Sequence, residues 1–176
     1  TKEIETIATA PTMFRAAQLV GRCIRKTFDV EGEALERAGV AFKITLLLGG
    51  QIKGDRMRLF MVYGAGNFVE CTPDAPFLQI GEHKYGKPIL DRAVSYETEL
   101  YDALKIGLIS MDSTMRSNLG VGLPIDILVQ RRDAQTAELV RRIDERDEYF
   151  QNLRESWSSA LRAAHIAIPK PPYMPD

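Results

Sequence analysis

The sequence predicts an α+β fold in which antiparallel sheet is covered by layers of helix. Helical periods come in groups and strand periods come as hairpin neighbours, which is not the βαβ alternation of a parallel sheet. In addition, Ile44-Thr45-Leu46-Leu47-Leu48 is apolar toward both faces, so this strand needs cover on two sides. It reads as an inner strand, either between two sheets or in one sheet between helices. The strands are few for so many long apolar helices, so further sheet is expected ahead of Thr1 or from a partner subunit.

The elements follow in order. After Ala10-Pro11, Thr12 is suited to cap a helix, and Met13, Ala16, Ala17, Val20, Cys23, Ile24 and Phe28 recur at three- and four-residue steps. A shorter helix is expected from Glu33 to Ala38, stopped by Gly39. Ala41 to Gln51 is rich in β-formers, Lys53-Gly54-Asp55 is a turn, and Arg56 to Tyr63 alternates, which together predict a hairpin. Ile44, Leu46, Leu48, Leu59 and Met61 are the expected core of that hairpin. Short strands are expected at Phe68–Thr72 and Phe77–Ile80, then helices at Lys87–Val94 and Glu97 to about Arg116. Pro124–Arg132 reads as a returning strand with Ala137–Ile143 as its partner. The last helix, Glu145–His165, carries Phe150, Leu153, Trp157, Leu161 and Ala164 along one stripe.

Composition narrows the class. The chain has 176 residues, 45% of them apolar, enough for one domain that needs neither disulfides nor structural metal. A single domain over residues 1–168 is expected, with a Pro-rich tail over 169–176. Cys23 and Cys71 read as small buried hydrophobes of a reducing, cytoplasmic compartment. The longest aliphatic run is far below the ~20 residues of a membrane helix, so no membrane partner is expected. With 23 Lys+Arg against 24 Asp+Glu, interleaved rather than blocked, no nucleic-acid partner is expected either. His83 has no second His or Cys at a ligand spacing and His165 ends a helix, so neither a metal nor a cofactor is expected. Gly49-Gly50 and Gly64-Ala65-Gly66 lack the Lys-Ser/Thr of a phosphate loop and read as hairpin ends.

Several longer phrases are more specific. Gly49-Gly50-Gln51-Ile52-Lys53-Gly54, Gly66-Asn67-Phe68, Thr72-Pro73-Asp74, Phe77-Leu78-Gln79-Ile80-Gly81-Glu82 and Lys84-Tyr85-Gly86-Lys87-Pro88-Ile89-Leu90-Asp91-Arg92 stand together with Asp112-Ser113-Thr114, Arg116-Ser117-Asn118 and Gly122-Leu123-Pro124-Ile125-Asp126. With Pro11-Thr12-Met13-Phe14-Arg15-Ala16-Ala17-Gln18-Leu19-Val20-Gly21, they make the stretch from about Ala8 to Arg132 resemble the bacterial proteasome-type peptidases called Anbu. The resemblance implies an N-terminal-nucleophile (Ntn) hydrolase fold, an αββα sandwich of two antiparallel sheets between helix layers. It also implies a threonine peptidase or amidohydrolase subunit, whose N-terminal threonine attacks the scissile carbonyl with its own α-amine as base. A homo-oligomer, a ring or spiral of identical subunits, is implied as well, with a peptide or amide as substrate.

In that family the nucleophile, the Asp that follows it, the activating lysine and the oxyanion-hole glycine lie ahead of the helix that here begins at Pro11-Thr12. Thr1-Lys2-Glu3-Ile4-Glu5 lacks the apolar strand pattern that would hold a nucleophile, so the nucleophile is expected upstream of this chain and the segment is expected to be catalytically incomplete. The alternative function is a non-catalytic scaffold or ring subunit that retains the fold.

The supporting site candidates are Asn118, Ser117, Glu82 and Asp112. The resemblance lays Asn118 where proteasome β subunits carry an Asp that orients the nucleophile's amine, with Ser117 beside it and Val121 where a serine follows. An amide can orient an amine but supplies no charge; alternatively Asn118 and Gly122 only shape a turn. Gly81-Glu82-His83 falls where those subunits place a Gly-Ser-Gly turn beside the nucleophile. Glu82 would there accept a proton or bind a substrate amine, or else be a solvated loop carboxylate. Asp112 with Arg116 is either a buried charge network under the site or a routine i,i+4 surface pair.

Overall fold

The computed structural model describes residues 5–173. These residues hold four α-helices and two antiparallel sheets, and gather into two compact units. The first takes the described residues through Gly81 together with Ser95–Glu97 and Gln130–Glu138, and the second takes Glu82–Val94, Thr98–Val129 and the described residues from Leu139 onward.

The first unit is built by one helix and a three-stranded sheet. Helix α1, Met13–Arg37, starts where Thr12 accepts a hydrogen bond from the Arg15 N–H at 3.1 Å, the expected cap. It is a single helix of 25 residues, where two were expected with a break before Glu33. Gly32 does not interrupt it, because the Phe28 ring folds over that residue and leaves it buried. The helix stops at Gly39, whose φ of 70° lets the N–H groups of Gly39 and Val40 turn back to the carbonyls of Glu36 and Leu35, both at 2.9 Å.

Strands β1 (Thr45–Gly50), β2 (Arg58–Tyr63) and β3 (Phe68–Glu70) follow in sheet order β1-β2-β3. The first hairpin pairs Thr45 with Tyr63 through to Gly50 with Arg58, and the second pairs Phe60 with Glu70 and Val62 with Phe68. Two expectations fail here. Among the described residues β1 is an edge strand, with Leu46 and Leu47 each 39% exposed, rather than an inner one. The buried row of β2 is Phe60 and Val62, both 0% exposed, while Leu59 and Met61 are only half-buried. The reason is α1, whose Met13 and Ala17 pack on Phe60; Phe68 meets Phe60 edge-on at 5.6 Å and Phe14 at 5.2 Å. Residues 77–80 are not a strand of either sheet. Cys23 is exposed and Cys71 partly buried, and both are free thiols.

The second unit packs helices on a two-stranded ribbon. Helix α2 (Lys87–Ala93) lies against α3 (Leu100–Ser117), and β4 (Ile125–Val129) pairs with β5 (Leu139–Ile143) from Ile125–Ile143 to Val129–Leu139. Helix α4 spans Glu148–Ala167. Ile127, Val129 and Ile143 from the ribbon close on Leu108 of α3 and on Phe150 and Leu153 of α4. The stripe expected on α4 is therefore buried only in its first half; Leu161 is 52% exposed.

Asp147 starts α4. Its carboxylate, almost wholly buried, accepts from the Phe150 N–H at 2.9 Å and from Arg141 at 2.7 Å. The Phe150 amide first and the Arg141 guanidinium second hold its carboxyl below the usual aspartate range, against the opposing effect of burial. A depressed folded-state value means that this contribution to stability is complete above the ordinary aspartate range and is lost as pH falls through the folded value. Asp147→Ala should cost about 1–2 kcal/mol at neutral pH. The difference from wild type in urea denaturation should shrink on acidification; a constant difference down to the acid transition would contradict this account.

Candidate functional site

The loop that opens the second unit and the end of α3 meet through side chains 36 residues apart in sequence. Asn118 is the residue after α3, its N–H still bonded to the Thr114 carbonyl at 2.9 Å. Its side-chain amide is spent in two directions. Oδ1 accepts the Gly120 N–H at 2.8 Å, closing the turn beyond the helix, and Nδ2 donates to Glu82 Oε2 at 2.9 Å. Glu82 Oε1 accepts the Lys84 N–H at 2.8 Å, so the loop's own backbone fixes the other side of the carboxylate. Both Asn118 and Glu82 are half-buried.

The loop is held against α3 by the absence of a side chain. Gly86 is buried, and a Cβ there would run into Ser110 Oγ and come within 2.7 Å of Thr114 Oγ1 and 3.0 Å of the Ser110 carbonyl oxygen. Thr114 in turn donates to that carbonyl at 2.9 Å. Small polar residues on this face of α3 let the loop backbone come close enough for Glu82 to reach Asn118.

The electrostatics of the pair are those of an ionised acid. The Lys84 backbone N–H, with help from the Asn118 amide, holds the Glu82 carboxyl below the usual glutamate range, while partial burial works the other way. The arrangement therefore offers a fixed, negatively charged group suited to facing a cation or an amine.

Of the four candidates, Asn118 and Glu82 are brought together. Ser117 is the exposed last residue of α3. Asp112 is elsewhere in function: wholly buried, it accepts from Arg116 at 3.0 Å and from Arg154 of α4 at 2.6 Å, so of its two readings the buried network is the observed one. Arg154 carried no signal that pointed to this role, since it lies 42 residues from its partner. Thr1 lies outside the described residues. Among the described residues no three His, Cys, Asp or Glu side chains gather in a way that could hold a metal ion, and no helix is long and apolar enough to cross a membrane.

Two concavities in the second unit are lined by neither Glu82 nor Asn118. One is an apolar groove between α3 and α4 lined by Ile109, Tyr149, Leu153 and Trp157, and another is lined by Leu108, Ile127 and Ile143 beside Arg141 and Asp147.

No protein-family model and no curated protein sequence matches the chain. Solved structures do. Anbu from Hyphomicrobium sp. strain MC1 matches with 47% identity and a TM-score of 0.87, over 97% of this chain and 69% of that one. Anbu from Yersinia bercovieri, described as an ancestral β-subunit, matches with 42% identity and a TM-score of 0.90, over 98% of this chain and 71% of that one. Anbu from Pseudomonas aeruginosa, solved as a helical assembly, matches with 41% identity and a TM-score of 0.86, over 93% of this chain and 68% of that one. The two antiparallel sheets and their helices are thus those of the Anbu, proteasome-like fold. With such identity sustained over almost the whole sequence and at the same chain geometry, the chain belongs to the Anbu family of bacterial, proteasome-like proteins.

Proposed function

We propose that this chain is part of a threonine-type Ntn hydrolase subunit that cleaves peptide or related amide bonds. The observation that carries the reading is the 47% identity over 97% of the chain to a proteasome-like protein. The fixed carboxylate at Glu82 and Asn118 agrees with it, falling where the resemblance expects groups around a nucleophile's amine. Both compact units belong in this reading to one β-subunit-like domain over residues 1–168, since the structural match runs through both. The nucleophile is a threonine that becomes residue one of the intact mature protein, ahead of the segment described here.

The chemistry balances without a cofactor. The threonine hydroxyl oxygen bonds to the scissile carbonyl carbon as its proton passes to the α-amine; that proton goes to the leaving amine as the C–N bond breaks, and water then hydrolyses the ester. Supporting groups such as Asn118 and Glu82 act on the amine, and Asp112 stiffens the helices behind them. The subunits assemble with copies of themselves into a ring or spiral in the cytoplasm, a reading supported by the helical assembly of the Pseudomonas relative.

A peptide vinyl sulfone, which traps nucleophiles covalently, tests this on the full-length protein. Peptide mapping should find one adduct per chain, on an N-terminal threonine, and fluorogenic peptide amides should be turned over until that threonine is replaced by Ala. An unmodified protein with no turnover would favour the scaffold reading instead.

A further inference from the structure

The centre of β5 inverts the usual rule that an antiparallel ribbon with one covered face turns its apolar residues inward. By strand alternation Leu139, Arg141 and Ile143 share the face packed on α3 and α4, while Val140 is 74% exposed on the other. A cation thus stands in the inward row, opposite Ile127 in the register. Its bond to Asp147 accounts for only part of it. That bond, at 2.7 Å, takes one of five guanidinium N–H groups, and Asp147 also accepts the Phe150 N–H as the cap of α4. The other four N–H groups have no partner among the described residues.

Arg141 instead lines a hollow of about 340 Å³ whose apolar wall includes Leu104, Leu108, Ile127 and Ile143. At ~30 Å³ for each water-sized group, this space takes about ten non-hydrogen atoms. Lys105 and Tyr149 line it too, and the Tyr149 hydroxyl has no hydrogen-bond partner among the described residues. Lys105 gives one proton to Asp102 at 2.5 Å and keeps two. Walls of this kind hold water poorly, so an apolar body that displaces it gains. Donors without acceptors at the same hollow call for an anion. Asp102 and Asp147 already balance the two cations, which suits a singly charged group sharing their N–H donors better than a phosphate with two charges.

We infer that this hollow binds a small carboxylate with an apolar body: the body lies against Leu104, Leu108, Ile127 and Ile143, and the carboxylate accepts from Arg141 with Lys105 and Tyr149 beside it. The inference is independent of the peptidase reading, because it uses none of the groups assigned to that chemistry. A medium-chain fatty acid and an N-acylated apolar amino acid share the required features.

Calorimetric titration of the full-length protein tests the site, with octanoate and N-acetyl-leucine as probes and octan-1-ol as the uncharged counterpart of the first. At least one carboxylate should bind once per chain with a Kd of about 0.1–1 mM, and the tighter of the two identifies the body. Octan-1-ol should bind weaker by about tenfold or more. Arg141→Gln should weaken the carboxylate about tenfold. Leu104→Trp, which fills the hollow and leaves Arg141 and Asp147 paired, should abolish binding. Methyl NMR on the unaltered protein covers the case in which a variant does not fold. Leu108 and Ile127 should shift as the carboxylate is added, while Leu128 and Val140, exposed on the outer face of the ribbon, should not. No binding of either carboxylate up to about 10 mM would show that the rest of the protein closes the hollow, and would overturn the site. Octan-1-ol binding as tightly as octanoate, unchanged affinity in R141Q, or shifts confined to the outer face would overturn it as well.

Discussion

Gly21→Ala should unfold the protein or destabilise it by about 4 kcal/mol, at the high end for a single methyl group. Gly21 is buried in α1 where the helix crosses the β2–β3 turn. A Cβ built there overlaps the Gly66 carbonyl oxygen outright and stands 3.0 Å from its carbon. The obstruction is backbone, so no rotamer change relieves it. The turn cannot step aside either, since Gly66 has a φ of 77° and a Cβ placed on it would meet the Gly21 carbonyl oxygen at 2.5 Å. Each glycine exists to let the other approach. The helix would have to lift from the sheet, and Met13 and Ala17 would lift with it from Phe60. Gly107→Ala, in the interior of α3 with nothing within 4 Å of the added Cβ, is the control; it should stabilise by about 0.5–1 kcal/mol through helix propensity alone. Urea denaturation of the two variants checks both signs. Equal and small effects would mean that α1 and the hairpin are not in the backbone contact described.

That contact was invisible in the sequence, and the reason is general to what was and was not legible. Local rules were readable: Thr12 as a cap, Gly39 as a stop, and Gly54 as the turn of the first hairpin all act within a few residues of themselves. The phase of β2 was not. Leu59 and Met61 form one apolar row and Phe60 and Val62 another, so period-two alternation cannot say which row is inside. The decision belongs to α1, whose Met13 and Ala17 cover Phe60 on the buried row that also holds Val62. For the same reason the apolar run in β1 over-predicted cover, because an apolar pattern reports what a strand could bury and not what lies beside it. The break expected before Glu33 does not occur, and the helical cost of Gly32 is met by packing against Phe28.

At the site, individual residue types were legible while their pairing was not. Asn118 and Glu82 were each open to a bland reading, and only the loop's approach over Gly86 brings them within hydrogen-bonding distance. Asn118 shapes its turn, as one of its readings had it, and also holds a carboxylate, which neither reading included. The resemblance to Anbu proteins rested on whole phrases and so survived these local errors in faces, partners and the number of elements.

Asp112→Ala should cost about 3 kcal/mol, and the asymmetry of the network makes the cost informative. Asp112 is 0% exposed, yet its two partners reach it from the surface, Arg116 with its side chain 52% exposed and Arg154 with 37%. Arg116 also donates to Ser158 on α4 at 3.1 Å, and Ser158 donates to the Arg154 carbonyl at 2.9 Å, so the acid ties α3 to α4 through both guanidinium groups. Removing the acid leaves two cations that can turn to water, which puts the cost at the low end for breaking a buried ion pair. Removing Arg154 instead leaves an anion in the interior with one partner fewer, and Arg154→Ala should cost about 2 kcal/mol although the residue is much the more exposed of the two. Arg116→Ala, which loses a longer bond from a more exposed side chain, should cost about 1 kcal/mol. If the pair acts as a latch between the helices, the double variant D112A/R154A should be more stable than the sum of the single losses predicts, by about 1–2 kcal/mol. Full additivity in that cycle would show that Asp112 and Arg154 stabilise their own helices independently, and the latch would have to be given up even though both side chains are in place.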